Sequence, residues 1–218
     1  MKIENAYEKT EIIKASSVEP LSLQEVKSHL RIELGETDED DLLEAMITTV
    51  REYTEDYTGR ALIRSHRAAY FDNWSTNHCC LLPYPPLVAI TSSTAITGNS
   101  SGAAVAYKDS TRGWNSFSST GWIADTVSIP GRLCLEYDED WPTKTLHNVN
   151  PIKVHFTCGY STSSTGIPKT IKSAMKIMIS DLYEQRESFI VGTAVADFSD
   201  RTLMTVKSLL ANYRVPVF

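Results

Sequence analysis

Apolar residues between Ser22 and Gly59 recur every three to four positions, the spacing of one buried face on a helix. Ser22 and Glu25 stand at capping-box spacing ahead of SLQEVKSHLRI, a short helix whose stripe is Leu23, Val26, Lys27 and Leu30. ELGET makes a turn, and Thr37 is the expected N-cap of a longer helix, DEDDLLEAMITTVREYTEDYT. Its stripe runs Leu43, Met46, Ile47, Val50, Tyr53, Thr54, Tyr57, so the two tyrosines read as packing. Gly59 is the expected stop, because a left-handed residue there costs glycine little.

From 61 to about 160 the period shortens to two. LIRSHRAAYF, LVAITSSTAI, WIADTVSI, RLCLEY and IKVHFTCGY alternate β-branched or aromatic residues with polar ones. LPYPPL, TGNSSG and STRGWNSFSSTG supply the turns. This predicts an antiparallel domain of five to eight short strands. The absence of helical stretches between them argues against a βαβ dinucleotide fold. Helical spacing returns after STSSTG, with Pro168 at the first helical position and Ile171, Ala174, Met175, Met178 and Leu182 on one face. Ser199 caps a last helix that turns Leu203, Val206, Leu210 and Tyr213 inward.

The expected fold class is α+β. Segments 20–60 and 167–214 form one helical bundle, and an antiparallel β-domain is inserted at 61–160. An irregular or extended arm at 1–19 precedes them, and an extended apolar tip at 215–218 follows.

Composition narrows the function. The 218 residues are 42% apolar and 22% charged, ordinary for a globular chain with a sizeable core. No apolar run approaches the ~20 residues that span a bilayer. The polar start MKIENAYEKTEIIK predicts no secretion signal, hence a reducing compartment in which the four cysteines stay thiols. HCC at 78–80 is expected to be strand, its neighbours on opposite faces, rather than a metal site. The net charge of −6, with acids gathered at 36–44 and 136–140 and bases scattered, excludes a dedicated DNA-binding module.

Candidate chemistry is sparse. GNSSG at 98–102 is a literal G-x-S-x-G, but the flanking residues read as strand and loop rather than strand and helix, so a hairpin turn accounts for Ser100. The histidines, at 29, 66, 78, 147 and 155, form neither HxH nor HExxH. The acids of EYDEDW belong to a solvated turn. In DLYEQRESF, Tyr183 and Glu187 face each other across one helical turn, a cluster that either fixes the next loop or meets a neighbouring subunit. With no Walker loop and no GxGxxG, no catalytic residue, metal or cofactor is expected.

Several of these segments, taken in order, resemble the head–tail connector proteins of tailed bacteriophages, in the longer branch that carries a β-insert. LSLQEVKSHLRIE followed by DEDDLLEAMITTVREYTEDYTGRALI is similar to that family's N-terminal helices. LPYPPLVAIT is similar to its strand entry, VHFTCGYSTSSTGIPKTIKSAMKIMISDLYEQRES to its later helix, and LLANYRV to its ending. The resemblance runs from about 20 to 215. It implies a virion protein, not an enzyme: an adaptor at the head–tail junction, assembled in the bacterial host cytoplasm. Its copies form a ring, expected to be twelve-fold, under the portal protein, with a tail-side connector or stopper protein docked below. DNA passes through the lumen without sequence-specific binding. By the same resemblance the C-terminal segment reaches the portal, which maps the contact to Leu209, Leu210, Tyr213, Arg214, Val215, Pro216, Val217 and Phe218. An apolar tail of this kind gains order on binding. Two other readings stay open: a serine hydrolase using Ser100 with a partner such as His147, and a monomeric accessory protein of DNA packaging.

Overall fold

The computed structural model describes residues 9–92, 103–185 and 198–215. The fold is α+β, a helical unit with an antiparallel β-unit inserted into it. Ser17–Ile63 and Tyr160–Arg214 compose the helical unit, and Arg64–Gly159 with the N-terminal strand composes the other.

In the helical unit, α1 (Leu23–Leu30) opens with the expected capping box: the Ser22 hydroxyl accepts from the Glu25 amide while the Glu25 carboxylate accepts from the Ser22 amide. Lys27, counted in the apolar stripe, is buried. Its ammonium donates to the Glu36 carbonyl and pairs with Asp40, holding α1 to the start of the next helix. That helix, α2 (Asp40–Thr58), begins later than the sequence predicts. Glu39 is its N-cap, and Thr37 instead accepts the Asp40 amide in a preceding turn. Its end is as expected, Gly59 lying in the left-handed region at φ 66° with its amide on the Glu55 carbonyl.

Helices α3 (Lys169–Glu184) and α4 (Asp200–Leu210) complete this unit. Pro168 sits one residue before α3, as its N-cap. Ser199 caps α4 through the Thr202 amide, and Asp181 of α3 holds that cap by accepting from both the Ser199 amide and hydroxyl, at 2.8 and 2.9 Å. Tyr183 donates to Glu39 at 2.7 Å, so its hydroxyl ties α3 to the entry of α2. The facing Glu187 lies outside the described residues. The core between the helices is Val26, Leu43, Met46, Ile47, Val50, Ile171, Met175, Met178, Ile179, Val206 and Leu210.

Among the described residues, the β-unit holds two sheets. The larger runs β1 (Thr10–Lys14), β2 (Ser65–Phe71), β9 (Ile152–Cys158), β5 (Val105–Lys108), β6 (Trp114–Ser116), with β4 (Leu87–Ile90) also paired to β9. β9 is its spine. One edge pairs with β2 from Ser65↔Cys158 to Phe71↔Ile152; the other is shared by β4 at its C-terminal half and β5 at its N-terminal half. Period-two alternation sends Ile152, Val154, Phe156 and Cys158 to one buried face, with Lys153, His155 and Thr157 on the opposite one. The smaller sheet is β3 (Cys79–Leu81), β8 (Arg132–Leu135) and β7 (Trp122–Asp125) in that spatial order.

Residues 10–14, anticipated within an irregular or extended arm, are extended and form the edge strand of the larger sheet, antiparallel to β2. One expectation changes. Cys79, expected to be a thiol, is disulfide-bonded to Cys134, its register partner across β3 and β8; Cys80 and Cys158 are buried and lie outside that bond, the Cys158 sulfur 3.6 Å from the Ser65 hydroxyl. The pairing was invisible in sequence because nothing local sets β3 against a strand some fifty residues away.

Candidate functional site

Parts of the quoted motifs, the end of α2 with Gly59 and Arg60, then Tyr160, then Tyr213 and Arg214, converge within the helical unit. Gly59 stops α2 and turns the chain, so that Arg60 becomes buried and its Nε donates to the Tyr213 carbonyl. The next residues are held too: Leu62 donates its amide to the Glu55 carboxylate at 2.7 Å. Tyr160 stands against the same guanidinium. Burial raises its phenol above the ordinary value, while the Arg60 charge and hydrogen bond pull the other way. Arg214 lies over the Tyr57 ring, 5.7 Å from its centroid.

The tyrosines of α2 therefore have a graded role. The fully buried positions are Thr54 and Thr58, whose hydroxyls donate to the carbonyls of Val50 and Thr54 at 2.7 Å. Tyr53 and Tyr57 flank them, partly buried, their rings parallel with centroids 6.4 Å apart, and Phe198 meets Tyr53 edge-on at 5.2 Å. Burial, with Tyr57 alongside, raises the Tyr53 phenol. The pair is packing, as read, but at the rim of the stripe.

The predicted portal-contact residues divide in two. Leu210 is fully buried in the helical core, Leu209 and Tyr213 pack partly against it, and Val215 is buried. Pro216, Val217 and Phe218 lie outside the described residues. Residues 209–214 are thus an anchor whose main-chain and aromatic contacts are made within the chain. Arg60 and Tyr160 are the anchoring residues that sequence reasoning quoted in motifs without assigning them a role. A basic residue just past a glycine helix stop, where solvation is lost, was the available signal.

Of the hydrolase pair, Ser100 lies outside the described residues. His147 sits in a loop, its Nδ1 accepting from the Val149 amide at 3.4 Å. Among the described residues, no group of three or more His, Cys, Asp or Glu side chains is placed to hold a metal ion. The acids of EYDEDW are exposed, as a solvated turn requires.

Charge is distributed unevenly between the units. The β-unit segments contain ten Lys or Arg and ten Asp or Glu, and the helical segments eleven and seventeen, so the net −6 belongs to the helical unit.

Residues 20–110 match the family described as phage gp6-like head–tail connector protein. The likeness read from LSLQEVKSHLRIE through LPYPPLVAIT falls within that stretch. Full-length similarity comes from solved structures. The fold superposes with a TM-score of 0.71 at 18% identity, over 95% of both chains, on a chain from the neck of an empty gene transfer agent (GTA) particle computed with C6 symmetry. A chain from the virion of a native GTA particle gives 0.69 at 18% identity, again over 95% of both. One from the neck of a native GTA particle computed with C12 symmetry gives 0.61 at 17%, over 94% of this chain and 96% of that one. No curated protein sequence matches.

Proposed function

We propose that this chain is a structural head–tail adaptor of a tailed phage or phage-like particle, forming a ring beneath the portal, extending the DNA channel and docking the next tail-side protein. The observation that carries the reading is the likeness of nearly the whole chain to proteins of particle necks, with the connector pattern at 20–110. The physical features agree with it. The acidic surplus of the helical unit suits a wall past which phosphates slide without sticking. Segment 209–214 is anchored within the chain, which leaves the apolar sequence 216–218 as the part proposed to meet the portal. Assembly takes place in the host cytoplasm and the final location is the head–tail junction.

The test is solution mass by light scattering, with and without the cognate portal protein. A ring, alone or on the portal, is the expected result; a monomer under both conditions rejects the adaptor in favour of the accessory-protein reading. Deleting 216–218 is expected to weaken portal binding at least tenfold with melting unchanged. Undiminished binding assigns the portal contact elsewhere.

A further inference from the structure

The Cys79–Cys134 disulfide has no part in the adaptor function proposed above. The two cysteines face each other directly across β3 and β8, and both are half-buried, so a small thiol in solution can reach their sulfurs. The strand they tie is otherwise weakly held. β3 is three residues at the edge of the small sheet, paired with β8 and, among the described strands, with no other. One main-chain bond flanks its ladder at each end, from the Leu135 amide to the His78 carbonyl and from the Leu82 amide to the Gly131 carbonyl, each at 2.8 Å. An edge ladder this short opens readily, and the covalent tie at Cys79 is what keeps it on β8. Cys80 and Leu82, 4% and 1% exposed, are the side chains that opening uncovers.

The remaining cysteines leave the pair to itself. Alternation turns Cys80 to the face opposite its neighbour Cys79. Burial pushes its thiol up to about 11, against one main-chain bond from Ser75, so it stays protonated and is no nucleophile for the disulfide. Cys158 is engaged on β9 of the larger sheet, its sulfur 3.6 Å from the Ser65 hydroxyl. A thiol from outside the chain is therefore what opens the bond.

We propose that Cys79–Cys134 is a thiol–disulfide exchange site whose state is a latch on β3, released as the dithiol and closed as the disulfide. The co-reactant is a small thiol–disulfide couple of the glutathione class. One glutathione thiolate attacks either sulfur and frees the other cysteine as a thiolate. A second attacks the glutathione sulfur of the mixed disulfide and frees the remaining cysteine. Two electrons pass to the cysteine sulfurs, which take up two protons, and glutathione disulfide leaves. Excess glutathione disulfide runs the same steps in reverse. By linkage, the folded sheet resists reduction only as firmly as it holds the two sulfurs together, and a three-residue edge ladder holds them weakly. The timing of the latch rests on the adaptor reading: open while the chain is made and assembled in a reducing cytoplasm, closed in the released particle.

The experiment incubates the full native chain in mixtures of reduced and oxidised glutathione, alkylates its thiols and locates them by peptide mass. The bond is expected to open in excess reduced glutathione and to re-form in excess glutathione disulfide. Alkylation of Cys80 is expected to speed by an order of magnitude or more in the open state, with Cys158 unchanged. A bond that survives excess reduced glutathione in the folded protein, or fails to re-form, overturns the exchange site. Cys80 equally slow in both states overturns the latch, and so does an equal acceleration of Cys158, because the whole unit has then opened. Alkylating producing cells before lysis and then purified particles tests the timing. Dithiol followed by disulfide is expected, and the same state in both overturns it. A chain missing from the particles rejects the adaptor reading and leaves the exchange results standing.

Discussion

Reducing the Cys79–Cys134 bond tests how the small sheet is held. β3 is three residues long and, among the described strands, pairs with β8, so its ladder contributes few hydrogen bonds. With a separation of 55 residues between the cysteines, the chain-entropy relation gives about 4 kcal/mol of stabilisation as an upper figure. All four tryptophans, Trp74, Trp114, Trp122 and Trp141, fall within Arg64–Gly159, so their fluorescence reports this unit, while ellipticity at 222 nm follows chiefly the helices. For a unit of this size, a urea slope of about 1.5 kcal/mol/M converts the upper figure to a midpoint shift of about 2.7 M. The expected result is a fluorescence midpoint moved to lower urea by reductant or by Cys134→Ser, with the ellipticity transition moved much less. Thiol titration of the denatured protein without reductant is expected to find two reactive thiols, those of Cys80 and Cys158. Four thiols there, or an unmoved midpoint after complete reduction, refutes the reasoning.

Three more predictions concern single residues. Tyr53→Ala and Tyr57→Ala should each cost about 1–2 kcal/mol in urea melts, below the ~3 kcal/mol of a fully buried aromatic, because both rings keep a solvent-facing side; losses of ~4 kcal/mol would place them in the core instead. Gly131→Ala should destabilise by about 1–3 kcal/mol, since a Cβ there would sit 2.3 Å from Leu87 Cβ, and a neutral melt would show that β4 gives way freely. His155 is buried and pushed down to about 4, first by burial and then by Lys153, with Glu11 opposing. The unfolded chain therefore binds the extra proton between pH 6.5 and 4, so stability is full above that window and falls by up to about 3 kcal/mol as pH drops through it. His66, lowered by burial, Lys14 and Arg64, adds to the same slope. His155→Gln should flatten the melting-versus-pH curve there, and an unchanged curve would reject the assignment.

What the sequence determined by itself was local. The capping box at Ser22, the Gly59 stop, the Ser199 cap and the two-residue alternation of IKVHFTC each depend on groups within a few residues of one another, and each appears as read. Even the miss at Thr37 is a shift of two residues, where a turn competes with a cap for the same amide. The motif order was legible too, and it carried the family likeness. Tertiary structure alone decided which distant segments meet. It paired Cys79 with Cys134, drew residues 10–14 into the sheet, and set Arg60 on the Tyr213 carbonyl. It also turned Val127 outward on a braced hairpin while burying Leu210 and Val215, though all three read alike as apolar residues in the chain. The physical reason is range. Caps and periodicity act over one or two turns of backbone, whereas strand register, burial and charge neighbours are set by the packing of the whole unit.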